Sequence, residues 1–241
     1  MKSEDLEVWQ GISIRTTLKE LVFSYENPSS FQKELATYIE MLFRDNLHPA
    51  SIEVGSSFGV TSALLPAKFN KTILDFDVEA LRKARELYEF IGQKVNVFYM
   101  DMFNLDKIDS KYELVFNAGV LEHFDFAERI KVISNMVHIT KVGGYIIIAI
   151  PNHLSLPYRT GYLYCNLFGK WMYPAEFKID NLEDELRTIE GIEQVAKFSL
   201  DKENIYNYLP LFLRVSFKIL DKWFKWEGYL KVIVFKKLGV K

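Results

Sequence analysis

Residues 51–65, SIEVGSSFGVTSALL, constrain the fold more than any other part of the chain. Ile52 and Val54 read as buried positions of a short strand that also carries an acid, Glu53. Gly55 and Gly59 then let the backbone turn before a helix begins at Thr61. Glycine has no Cβ, so it adopts the positive φ such a turn needs and lets a ligand approach the main chain closely. The first N–H groups of the helix have no partner within it and face the same turn. A strand, a small-residue turn and a helix in this order suit a nucleoside-bearing ligand.

The pieces that follow repeat the theme. Residues 71–75 (KTILD) form a second apolar strand ending in an acid, about 20 residues beyond the glycine turn, where a carboxylate can accept both ribose hydroxyls. Asp77 reads as the N-cap of a helix over 78–91. Residues 95–99 (VNVFY) lead to Asp101, residues 112–117 (YELVFN) form a fourth strand, and 144–150 (GYIIIAI) a fifth, followed by Pro151 and Asn152. Strands alternating with helical stretches predict a parallel sheet with helices on both faces.

With EVGSSFG, LDFDVEALRKA, YMDMFNL, YELVFNAGVLEHF and KVGGYIIIAIPN in this order over residues 50–152, the chain resembles the class I S-adenosylmethionine-dependent methyltransferases, in their type 11/12 small-molecule branch. The resemblance implies a Rossmann-like, seven-stranded, mostly parallel sheet of order 3-2-1-4-5-7-6 with the last strand antiparallel. It implies S-adenosyl-L-methionine as cofactor, with Glu53 near its methionine part and the backbone of Gly55, Ser57 and Gly59 along its passage. Asp75, with Phe76 beside it, matches the ribose-binding acid; Asp101 and Met102 match the adenine site; Asn117 to Gly119 would offer main-chain groups to the methionine end. The activity implied is displacement at the sulfonium methyl by an acceptor oxygen, nitrogen or carbon, releasing S-adenosylhomocysteine. One departure stands at Ser57, where the family usually has glycine; a serine fits there if its φ is negative.

Composition sets outer bounds. A chain of 241 residues, 49% hydrophobic and 26% charged, is long enough for one α/β domain with embellishments. A net charge of −2 makes no case for a nucleic-acid partner, and the absence of an Asn-Pro-Pro-aromatic run after the fourth strand argues against an adenine acceptor. One cysteine, Cys165, and no charged-apolar-small leader point to a cytoplasmic setting. No apolar run approaches the ~20 residues that span a bilayer. No spacing of His48, His123, His138, His153 and Cys165 suggests a metal site.

The chain divides into an N-terminal helical part (1–46), the cofactor core (50–152), an insertion (153–180) and a C-terminal completion of the sheet (181–241). In the first part, Ser30 reads as the cap of a helix over 31–44 with Leu35, Tyr38, Ile39 and Leu42 on one face. In the resembling family such helices often lie over the cofactor as a lid; covering one sheet edge is the alternative. His123, after the fourth strand, is a candidate base because neutral imidazole accepts a proton at cellular pH, and a structural role is the alternative. The insertion is rich in aromatics and is where the acceptor would be read, with His153, Tyr158 and Tyr162 as candidates; packing of the insertion onto the domain is the competing reading.

A helix over 182–190 capped by Asn181, a sixth strand over 192–199 and a seventh over 229–235 complete the pattern. Between them, 205–226 alternates large apolar residues with Arg214, Lys218, Lys222 and Lys225. From Lys202 onward there are nine basic residues, Lys241 among them, against three acids, Glu203, Asp221 and Glu227. Such a helix commonly covers its own sheet; it can also contact an anionic membrane surface or form a homodimer. Two other functions stay open: a cofactor-binding protein without catalysis, and an NAD(P)-dependent oxidoreductase. The second lacks the required tyrosine followed four residues later by lysine.

Overall fold

The computed structural model describes residues 3–239. Lys241 and the first two residues of the N-terminal part lie outside them. Seven strands form one sheet: β1 (Ala50–Val54), β2 (Asn70–Asp75), β3 (Asn96–Tyr99), β4 (Tyr112–Ala118), β5 (Thr140–Pro151), β6 (Ile192–Leu200) and β7 (Leu230–Lys237). Their order is β3-β2-β1-β4-β5-β7-β6, and β7 runs antiparallel to both its neighbours while the first five are parallel. This is the order and direction expected from the sequence.

The helices are α1 (Ser3–Arg15), α2 (Leu18–Glu26), α3 (Ser30–Leu42), α4 (Val60–Ala63), α5 (Val78–Phe90), α6 (Phe126–Ile139), α7 (Leu156–Leu167), α8 (Glu183–Leu186) and α9 (Leu211–Phe224). Alternate residues of each buried strand face opposite layers. Ile52, Val54 and Val115 pack with Val132, Ile133 and Met136 of α6, whereas Leu114 and Phe116 pack with Leu35 and Ile39 of α3. A third cluster sets Ile73 against Leu81, Ala84 and Tyr88 of α5. Both faces of the sheet are thus covered, which a parallel sheet requires.

Local differences from the expectations have local causes. The cap of α3 is Ser29, not Ser30: the Gln32 side chain accepts the Ser29 N–H at 3.1 Å. β5 begins at Thr140 rather than Gly144, because Thr140 pairs with Tyr112 ahead of a register shift. The helix expected over 182–190 is one turn, although Asn181 does accept the Glu183 N–H at 2.9 Å. Pro210, which has no N–H, divides the segment 205–226 into a short turn and α9. α9 does not cover the sheet: none of its residues is buried.

Candidate active site

Parallel strands bring their carboxyl ends to one edge, and the crevice opens where β1 sits between β2 and β4 and the strand order reverses. Val54 pairs with Leu74, so Asp75 stands one residue beyond the end of β1, level with Tyr99 of β3. The turn after β1 has Gly55 at φ 71°, Ser57 at φ 48° and Gly59 at φ 65°. A positive φ at Ser57 corrects the expectation of a negative one; the turn imposes on a serine the left-handed conformation that glycine adopts without strain.

This turn wraps the Asp75 carboxylate. Oδ2 accepts the Ser57 N–H at 2.7 Å and Oδ1 accepts the Asp77 N–H at 2.9 Å. Burial raises the Asp75 carboxyl above its ordinary value against the pull of these two donors. Glu53 points to the α4 side of β1 and accepts the Ser62 N–H at 3.0 Å. Burial first, and the Asp75 charge to a smaller extent, raise it to about 7; Ser62 opposes the shift. Two carboxyl groups with a weakened hold on negative charge therefore share one end of the sheet, an arrangement that a bound cation would stabilise.

They open on a cavity of about 230 Å³. Its walls include Glu53, Gly55, Ser57, Asp75, Phe76, Met102 and His123 among the residues singled out from sequence. Two further wall residues carry buried oxygens without a hydrogen-bond partner: Ser56 Oγ and Asp77 Oδ2. Asp77 also caps α5 as expected, Oδ1 taking the Glu79 and Ala80 N–H groups at 2.8 and 3.2 Å. A Cβ on Gly55 would stand 3.0 Å from Val120 and 3.2 Å from Met102, in the wall itself.

Asp101 is not on this wall. It borders an adjoining open hollow of about 830 Å³ that shares Phe76, Met102 and Phe124 with the cavity, and its Oδ1 accepts the Phe103 N–H at 2.9 Å. Gly59 lies under the turn, where a Cβ would meet Ile73 at 3.0 Å. The Asn117 side chain is fully buried against Met136 of α6, and it is Ala118 and Gly119 that reach the cavity.

His153, Tyr158 and Tyr162 are placed differently from the acceptor-facing position expected of them. All three are buried in an aromatic cluster with Tyr229, and none is among the cavity's wall residues. The Tyr158 hydroxyl donates to Glu176 Oε2 at 2.7 Å, and His153 Nε2 lies 3.0 Å from the same oxygen. The Glu176 N–H donates to the Tyr162 hydroxyl at 3.1 Å. These contacts tie the insertion to itself around a buried carboxylate, which needs such partners, and the Tyr158 ring joins it to the domain by meeting Tyr229 at 4.9 Å.

His123 does reach the cavity. Its Nδ1 lies 3.3 Å from the Ala175 carbonyl, which can only accept, so the contact favours a proton on Nδ1 and leaves Nε2 as an acceptor. Burial lowers its pKa, which keeps the ring neutral. Next to it, burial and the Glu176 charge push Glu122 well above the ordinary carboxylate range.

Three wall residues from the N-terminal helices had no signal in the sequence: Trp9 and Ser13 of α1 and Phe31 of α3. The Trp9 and His123 rings meet edge-on at 5.5 Å. α1 is held there by the buried Lys83 ammonium, which donates to the carbonyls of Ser13, Ile14 and Thr16 at 2.5, 2.9 and 2.7 Å. Hydrophobic periodicity places a helix face inward but does not say which cavity it meets, so the resemblance could offer these helices as a cover while naming none of the three residues.

With this geometry in view, comparison with known proteins is informative. The family model described as a methyltransferase domain matches residues 52–144, from β1 into β5. The chain has the class I methyltransferase fold. Magnesium protoporphyrin IX methyltransferase from Synechocystis PCC 6803 with bound S-adenosylhomocysteine aligns over 86% of this chain and 83% of its own, with a TM-score of 0.59 and 14% identity. The N-methyltransferase NodS from Bradyrhizobium japonicum WM9 gives 87%, 89%, 0.56 and 14%. An S-adenosylmethionine-dependent methyltransferase from Clostridium acetobutylicum ATCC 824 gives 86%, 92%, 0.59 and 15%. At these identities the likeness is one of fold. No curated protein matches the chain. Among the described residues, no group of three or more His, Cys, Asp or Glu is placed to hold a metal ion.

Proposed function

We propose that this protein binds S-adenosyl-L-methionine and transfers its methyl group to a small or amphipathic acceptor. The observation that carries the reading is the cavity at the β1 and β2 tips, where Glu53 and Asp75 meet the unpartnered oxygens of Ser56 and Asp77. Its acceptor atoms suit hydroxyl donors and a cation. Asp75 would take the ribose hydroxyls, and Glu53 would sit near the positive methionine part. Gly55, Ser57 and Gly119 would offer main-chain groups, while Phe76 and Met102 would wall the adenine, with Asp101 at the edge of its hollow. When bound, the cofactor supplies a methyl group already activated by its sulfonium.

The protein's own share is alignment and exclusion of water. Trp9, Phe31 and Phe124 line the cavity with apolar surface that displaces solvent from its mouth. Where the acceptor must lose a proton, His123 on the cavity wall would be the candidate base, through the Nε2 that its Ala175 contact leaves as acceptor.

The test is calorimetric titration with S-adenosylhomocysteine and, separately, with NAD. Binding of the first and not the second is expected, with at least a tenfold loss of affinity in Asp75→Ala and a smaller one in Asp75→Asn, which keeps one acceptor oxygen. Unchanged affinity in both variants, or preference for NAD, overturns the reading.

A further inference from the structure

α9 is the helix whose position the fold does not explain. It follows a turn whose Ile205, Tyr206 and Leu209 are buried, and it meets the protein along Leu213 and Phe217. At 100° per residue, Leu211, Phe212, Val215, Ile219 and Trp223 share the opposite face, spanning about a third of the circumference. These five are between 51% and 74% exposed. Helices of soluble domains bury their apolar stripe, so this one lacks its partner.

The charges around the stripe say what that partner is. Residues 204–226 carry one acid, Asp221, and four basic residues, Arg214, Lys218, Lys222 and Lys225. Asp221 is turned inward, where Lys202 lies 3.0 Å from its Oδ2 and the Trp226 N–H donates to its Oδ1 at 2.7 Å. By helical angle Lys218 borders one edge of the stripe and Lys222 falls just inside that edge, between Leu211 and Val215, and no carboxylate of α9 stands on the outer face. Lysines beside an apolar stripe extend their ammonium groups to the level of lipid phosphates while their stems stay in contact with hydrocarbon. A second copy of the same face would bring like charges together, which disfavours self-association. Trp223, an amphipathic ring at the end of the stripe, has the chemistry of a side chain at a bilayer boundary. Among the described residues no helix is long and apolar enough to cross a membrane, so the contact is with its surface.

We infer that α9 docks this protein on an anionic lipid surface, its outer face in the headgroup boundary. The same lobe carries the insertion: Cys165 of α7 donates to the Tyr208 carbonyl at 3.5 Å, and Gly161 packs on Tyr208 with no room for a side chain. α7 also leaves Leu163 and Leu167 exposed. Docking therefore sets the insertion near the bilayer, where an amphipathic acceptor would reside.

The experiment is flotation of the full chain with vesicles of phosphatidylcholine containing a quarter phosphatidylglycerol, and with phosphatidylcholine alone. Binding to the anionic vesicles only is expected, weakened by salt and reduced about fivefold for each of Lys218→Glu and Lys222→Glu. Phe212→Gln and Ile219→Gln are expected to abolish it with the circular-dichroism melt unchanged, since both positions are exposed. Trp223→Phe is expected to retain binding but lose the vesicle-induced blue shift of fluorescence. Three outcomes would overturn the inference: no binding to either vesicle, equal binding to both, or a dimer without lipid that Phe212→Gln dissolves.

Discussion

Replacing Glu53 by glutamine keeps the side chain's shape and its acceptor for the Ser62 N–H while removing the ionisable group. In the folded chain this carboxyl is held at about 7 against an ordinary value of 4.5, because burial strips it of water. The unfolded chain returns to the ordinary value. Between the two, the native state holds a proton that the unfolded state has released. The stabilisation from this group is therefore fully present below the lower value and is lost as pH rises through the upper one. Its full span is about 3 kcal/mol, of which about 2 kcal/mol falls between about pH 5.5 and about pH 8. Urea unfolding of both proteins without cofactor, at those two pH values, reads the difference. The glutamine variant is expected to gain about 2 kcal/mol on the parent between the lower and the higher pH, with equal denaturant slopes. Asp75 and Glu122 are also raised by burial and remain in both proteins, so the difference reports Glu53 together with its charge coupling to Asp75. A difference that does not move with pH would refute the argument that this carboxyl is destabilised by desolvation.

Three further outcomes follow from the same geometry. If the cofactor's positive end lies beside Glu53, which is about half protonated at pH 7, binding of S-adenosylmethionine there releases up to about half a proton, measurable by calorimetry in buffers of different ionisation enthalpy; no buffer dependence would separate the cation from this carboxylate. Ser57→Gly relieves a left-handed serine, which costs about 1–2 kcal/mol, at an entropic cost of about 0.5–1 kcal/mol. The variant is expected to be more stable by about 0.5–1 kcal/mol in thermal unfolding, and a clear loss would mean that the serine side chain holds the turn. Lys83→Met leaves three carbonyls at the end of α1 without their donor, which is expected to cost about 2 kcal/mol and to lower S-adenosylhomocysteine affinity as Trp9 leaves the cavity; an unchanged melt and affinity would show that α1 is held by other contacts.

The fold was legible where local chemistry and topology agree. β1, β2 and β4 are short apolar runs, each reaching the crevice edge, and a parallel sheet gathers their carboxyl ends whatever the details of the loops. Glu53 and Asp75 could thus be assigned to one site from their positions alone. Asp101 is reached by the same logic but lies two residues past β3, far enough to move it into the adjoining hollow. His153, Tyr158 and Tyr162 were illegible because aromatic content does not distinguish a pocket wall from a packed cluster. The deciding partner, Glu176, comes from a loop with no periodicity. Trp9 was invisible for a related reason, since its place depends on Lys83, some seventy residues away. α9 was legible as an amphipathic helix, while which surface its apolar face meets is a tertiary fact.

The most direct measurement is a crystal structure of the protein with S-adenosylhomocysteine. The account expects the ribose hydroxyls at hydrogen-bonding distance from Asp75, the sulfur end toward Glu53 and Gly119, and the adenine between Phe76 and Met102. A nucleoside bound elsewhere, or an empty crevice at saturating ligand with Asp75 still closed on the Ser57 and Asp77 amides, would contradict it.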